Sequence, residues 1–281
     1  MSLHRTLPAV VFVLAATACA RAAHTQSGPP ETPAGPIITL PSPGASVGGL
    51  SPLCPDPSPP LVTDLDVRQA PDLPEPAARL PFRDPVFGTC LVRVTDREAD
   101  LAEGDTSPGL KNEYSRVQSF NADGSRMLVR GIEGTWYLYD AASLQPLTQL
   151  PLGTDPRWDG ANPDLIYYSE DTRLMAYDIQ SAQASLLHEF AADLPGQEIT
   201  AVWTRYEGSP SLDSRYWGLM AENQDWMTVA YLVYDRETDQ VIGQLDMPPA
   251  EIDSVTISPL GTYFLAYLDE YCEPGQLGDE A

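Results

Sequence analysis

The chain has 281 residues, with 40 Asp and Glu against 16 Lys and Arg and a formal charge of −24. Nucleic acids and anionic lipid surfaces both require a cationic face, so this balance excludes them as expected partners.

Taken in chain order, the first element is MSLHRTLPAVVFVLAATACARA. Arg5 precedes an apolar run from Leu7 to Ala18, followed by small residues, which is the order of a secretory signal over residues 1–25. The run is shorter than the roughly 20 residues that cross a bilayer as a helix. Within it, Leu14 to Cys19 resembles the bacterial lipobox, which would make Cys19 the lipidated N-terminus. Ala16 stands where a lipobox carries a larger aliphatic, and ordinary cleavage after Ala20 or Ala23 fits as well, so anchored and released forms both stay open. Either outcome places the mature chain outside the cytoplasm: periplasmic, secreted, or held on the envelope by a lipid, its one expected membrane contact.

Residues 26–81 are rich in Pro, Gly, Ser and Ala, as in GPPETPAGPIITLPSPGASVGG. Such a stretch has too little apolar side chain to offset its ordering entropy and reads as a tether. The four cysteines, Cys19, Cys54, Cys90 and Cys272, follow no zinc spacing, and neither a metal nor a cofactor is expected. Disulfides are permitted in an export compartment. A bridge from Cys90 to Cys272 would tie the ends of the folded region together, although spacing does not fix connectivity.

From Phe82 onward, within a region spanning residues 82–281, short apolar runs alternate with turn signals and helical periodicity is nearly absent. One unit reads SRVQSFNADGS, RMLVRG, TWYLYDAAS, LQPLTQLP, and a second reads DPRWDGANPD, LIYYSE, RLMAYDIQS, AQASLLHEF. They share Arg116 with Arg157, Asn121 with Asn162, Asp123 with Asp164, and Tyr139-Asp140 with Tyr177-Asp178. A third unit, lengthened around Tyr206 to Leu212, repeats the pair as Tyr234-Asp235, and a fourth starts at DSVTISPLGTYFLAYLD. Four short strands recurring every 40 to 50 residues or so is the spacing of β-propeller blades. The expected fold is all-β, an apparently incomplete propeller of four-stranded antiparallel blades with about three to five present, where 4 to 8 close a ring. A truncated chain is the expected reason, with an unusually small ring as the alternative.

The pattern (N/S)-x-D-G before an apolar run, then an aromatic followed by Tyr-Asp, resembles the TolB-like, WD-type propeller repeats of exported bacterial proteins. The resemblance covers about Phe82 to Asp269 and implies a ring of six or so blades; it specifies fold far better than function. Asn121, Asp123 and Gly124 are expected to serve as turn residues, as are the aspartates of the Tyr-Asp pairs.

No nucleophile elbow is present, and His188 is the single histidine beyond residue 81, on an expected outer strand. No catalytic residue is therefore named. The oligogalacturonate-lyase type of propeller would by resemblance need several histidines around a metal. Glu98, Asp100, Glu103 and Asp105 form an acidic loop, read as solvated rather than as a calcium site. Candidate ligand-binding residues are those expected on the innermost strands around the axis: Arg116, Gln118, Arg157, Trp158, Trp203 and Arg205. Arg and Trp on a concave surface can hold a carboxylate, sugar or peptide by paired hydrogen bonds and ring stacking. The competing expectation is that each Trp packs between blades and each Arg pairs with a neighbouring acid. The expected function is a non-catalytic binding module for a protein, peptide or glycan. A lyase or hydrolase acting on carbohydrate through acidic axial residues is the alternative, and a fragment without independent function the third.

Overall fold

A computed structural model describes residues 61–267 and the backbone of Val11–Phe12. The rest of the expected signal, with Cys19, and the Pro-rich stretch up to residue 60 lie outside the described residues, as do Cys54 and Cys272. Cys90 is disulfide-bonded.

Three four-stranded antiparallel sheets follow one another along the chain. The short strands β1 (Val11–Phe12), β2 (Pro81–Arg83) and β3 (Cys90–Val92) precede them. The first sheet joins β4 (Leu110–Lys111), β5 (Arg126–Gly131), β6 (Trp136–Asp140) and β7 (Pro146–Leu150). The second joins β8 (Thr154–Trp158), β9 (Leu165–Glu170), β10 (Arg173–Asp178) and β11 (Gln183–Glu189). The third joins β12 (Ala201–Trp203), β13 (Tyr216–Glu222), β14 (Thr228–Asp235) and β15 (Gln240–Ala250). A fourth begins with β16 (Ser254–Ile257) and β17 (Tyr263–Tyr267), along whose far edge β1 runs parallel. Among the described residues the one helical element is the three-residue 3-10 turn Phe190–Ala192. This is the expected all-β architecture of successive propeller blades, three complete and a fourth represented by two strands of its own.

Each sheet is sandwiched between neighbours, so its middle strands are buried on both faces and read as near-continuous apolar runs such as WYLYD and YLVYD. Four core layers result. Val92, Val94 and Leu101 cover Tyr137 and Tyr139 on the outer side of the first sheet. Leu128, Trp136 and Leu138 meet Ile166 and Tyr168 between the first and second. Tyr167 and Phe190 meet Trp217, Leu232 and Tyr234 between the second and third. Met220 and Tyr231 meet Val255 and Phe264 between the third and fourth. Burying one such side chain contributes about 1.5–3 kcal/mol, so the sheet-to-sheet layers hold the array together.

The turns use the residues that the repeat placed there. Gly124 has φ +71°, Asn121 accepts a hydrogen bond from the Arg126 amide at 2.9 Å, and Asp123 accepts from the Ser125 amide at 3.0 Å. Asn121 does more than turn the chain, because its side-chain amide donates to the carbonyl of Pro163 in the next sheet at 3.0 Å. Asp140 and Asp178 accept from the amides of Ser143 and Ser181, both at 2.7 Å, in the turns between third and fourth strands. In the acidic loop, Asp100 binds Arg79 and accepts from the Tyr139 hydroxyl at 2.9 Å, while Asp105 accepts from Tyr137. That hydroxyl holds the Asp105 carboxyl down at about 2.

One expectation about the innermost strands needs correction. The first sheet's inner strand is split: Lys111 pairs with Arg130 and Phe120 with Met127, while residues 112–118 leave the ladder between them. The second is interrupted at Asp155, whose φ is +53°, and resumes at Arg157 opposite Tyr167. The third ends at Trp203, and Arg205 and Tyr206 turn away at φ +57° and +72°. Arg116, Gln118 and Arg205 therefore sit on excursions from the ladders and not on strands. In the first sheet ladder pairing survives only on either side of the excursion.

Candidate functional site

The excursions of the first and third sheets meet the interrupted strand of the second, and Arg157 is where they are joined. Its guanidinium donates from Nε to the Gly208 carbonyl at 2.6 Å and from Nη1 to Glu113 Oε2 at 2.9 Å. From Nη2 it donates to the Tyr206 carbonyl at 2.9 Å, and Nη1 also reaches its neighbour's carbonyl, that of Pro156, at 2.9 Å. One planar side chain thus ties the second sheet to the excursions of the first and third, a geometry that suits the fixed fork of arginine and not the point charge of lysine. Asp155 completes the join. Its Oδ2 accepts from the amide and hydroxyl of Thr204 at 3.0 and 2.8 Å, and its Oδ1 accepts from the Tyr206 amide at 3.0 Å.

The other residues named from sequence divide between this join and its surroundings. Trp158 donates its indole N–H to the Ser119 carbonyl at 2.9 Å, and Trp203 donates to Glu222 Oε2 at 2.8 Å. Arg205 bonds the Ile252 carbonyl and lies 3.5 Å from Glu222 Oε1. Arg116 is more than half exposed, 2.7 Å from Glu207 and 5.4 Å from the centre of the Tyr267 ring. Each of these indoles and guanidiniums thus has a protein partner.

Gln118, Arg157 and Trp158 nevertheless line one cavity of about 300 Å³, together with Phe120, Ser209 and Leu212. The charged groups at its wall are already matched. Arg157 is engaged as described, and Asp159 accepts from the amides of Ala161 and Asn162 at 2.9 and 2.7 Å and from the Tyr167 hydroxyl at 2.7 Å. What the cavity offers is one indole, one phenyl ring, the carboxamides of Gln118 and Asn121, and serines.

Glu113 and Asp155 at the join, and Glu222 beside Trp203, are buried acids that sequence reasoning missed. Burial drives the Glu113 carboxyl up, Arg157 pulls it down and Asp155 raises it again, for a net rise to about 7. Its second oxygen, Oε1, is buried with no hydrogen-bond partner. Glu222, wholly buried, is likewise raised by burial. Because the folded value for Glu113 lies above the ordinary 4.5, the folded chain binds the extra proton. The associated stability is full below the ordinary value and is lost as pH climbs through about 7. Glu113→Gln keeps an oxygen for Arg157 and removes the titration. Between about pH 5 and pH 8 the parent chain is expected to lose roughly 3 kcal/mol more than the variant in urea denaturation. Equal losses would refute the assignment.

No protein-family model matches the sequence, and no curated protein matches it. Among solved structures the chain resembles an oligogalacturonate lyase in complex with manganese, at 18% identity and a TM-score of 0.43. The match covers 63% of this chain and 48% of that one, so the chain spans about half the length of the structure it resembles.

Proposed function

We propose that this chain is an exported, non-catalytic binding module that receives a polar ligand in the cavity beside the inner strands. The observation that carries this reading is the convergence of Gln118, Arg157 and Trp158 from two sheets on one cavity, with serines at its rim. Pockets that combine apolar walls with a few directed polar groups are the usual form of ligand site. An oxidised Cys90 agrees with an address outside the cytoplasm, and the acidic surface argues against nucleic acid as the partner. Cys19 is the point at which a lipid would anchor the chain. The finer kinship, with TolB-like repeats, rests on the Asn121-x-Asp123-Gly124 turn and the recurring Tyr-Asp pairs.

The test is a screen of purified protein against neutral and acidic oligosaccharides and peptides, followed by calorimetry on each hit. Gln118→Ala with Leu212→Ala is expected to weaken the hit at least about tenfold, near 1.4 kcal/mol, without shifting the melting temperature. Both side chains are exposed. Binding unchanged in that variant, or turnover of any screened compound, would overturn the proposal.

One observation favours a second reading, that of a carbohydrate-active enzyme: a carboxyl raised to about 7 beside other acids is how general acids are prepared. Against it, only 3% of the Glu113 side chain is exposed, behind the Arg157 guanidinium. A rate profile with an inflection near pH 7 that disappears in Glu113→Gln would establish the enzyme instead.

A further inference from the structure

His188 occupies β11, the outermost strand of the second sheet, and its ring lies between Phe190, at 4.6 Å, and Tyr234 of the third sheet, at 4.8 Å between centroids. Its Nε2 stands 2.7 Å from Asp193 Oδ2 and its Nδ1 stands 2.7 Å from Asp239 Oδ1. Asp239 belongs to the turn joining β14 to β15, where it also accepts from the Tyr234 hydroxyl at 3.0 Å. A neutral imidazole has one N–H and one lone pair. It can satisfy one of these carboxylates, and its lone pair would then face the other. Both contacts are attractive when both nitrogens carry protons.

We infer that His188 is a proton-operated clasp between the outer edges of the second and third sheets, closed as an imidazolium between Asp193 and Asp239 and slackened when it deprotonates. The charged groups facing the ring are those two aspartates. Glu189, next along β11, is turned to the hydroxyl of Thr172, and Arg236, near Tyr234, is turned to the Ser214 carbonyl. Tyr234 is shifted upward by burial and by its bond to Asp239, so it remains a donor throughout the range in which histidine titrates. For His188 itself burial pulls the value down, and the two carboxylates reverse this and leave it raised. The stability that this group contributes is therefore full below the ordinary histidine value near 6.5 and is lost as pH rises through the higher folded value.

Side-chain NMR of histidine through a titration from about pH 5 to about pH 9 reads the protonation directly. The one signal lost in His188→Gln assigns the residue, since the other two histidines are His4 and His24. The expected midpoint lies above that of free histidine and falls in Asp239→Asn, whose side chain is mostly exposed and whose substitution leaves the core intact. In parallel, the melting temperature of the parent is expected to exceed that of His188→Gln by a few degrees at low pH, with the gap closing as pH rises through the midpoint. Taking the difference removes the titration of Glu113. A midpoint at or below that of free histidine, or one unmoved by Asp239→Asn, would overturn the inference. If His188→Gln does not fold, the midpoints of the parent, Asp239→Asn and Asp193→Asn decide it alone.

Discussion

Arg157→Ala is expected to cost the folded chain about 3–5 kcal/mol, read as a fall in the urea midpoint with an unchanged denaturant slope. Three losses combine. Glu113 loses the cation that holds its buried oxygen, and the carbonyls of Gly208 and Tyr206 lose their donor. An unsatisfied buried acceptor costs about 1–3 kcal/mol, and protonation of Glu113 relieves only the charge. Arg157→Lys is expected to recover less than half of the loss, because one ammonium cannot point at an acid and two carbonyls from a single plane. Removing both partners with Arg157→Met and Glu113→Leu is expected to recover more than Lys does, since no charge is then left alone. A loss below about 1 kcal/mol in Arg157→Ala would show that the join does not hold the sheets.

Gly208→Ala is expected to be similarly damaging, at about 3 kcal/mol or more. A Cβ built at this position would lie 1.9 Å from the Val255 carbonyl oxygen and 2.6 Å from Thr204 Cβ. Neither neighbour can give way. Val255 is bonded through its amide to the Thr204 carbonyl at 3.2 Å, and Thr204 is held by Asp155. Relief would require the third sheet's excursion to part from β16. Gly109→Ala is the contrast: its Cβ would meet only the flexible end of Ile132, at 3.1 Å, and a loss under about 1 kcal/mol is expected. Thermal or urea melts of the two variants side by side check this, and equal losses would contradict the packing argument.

The legibility of the fold in the sequence follows the range of the interactions concerned. Asn121, Asp123 and Gly124 declare a turn because they bond to residues two to five positions away. The middle strands are legible because burial on both faces demands an unbroken apolar run. The lengthening of the third unit around Tyr206 to Leu212 was visible as extra residues, and the excursion it feeds occupies 204–208. Glu113 and Asp155 were hidden. Their partners lie 44 and 49 positions away, and one acid among 40 carries no signal by itself. Arg157 was selected for its position in the repeat, but nothing local shows that every arm of its guanidinium is occupied. His188 stands out in the sequence only as the single histidine beyond residue 81, on an outer strand. Its aspartates come from a neighbouring turn and from 51 residues downstream, and the latter pairing appears only when two sheets stack.

The broken inner strands bear on how a molecule of this kind can diversify. Backbone from three sheets meets around Arg157, where change is punished, whereas the backbone of the hairpin tip at residues 223–226 is fastened by Asn223 within the tip itself. Lineages can rewrite such a tip at little thermodynamic risk, so novelty in what the molecule touches is to be sought there while the hub stays fixed.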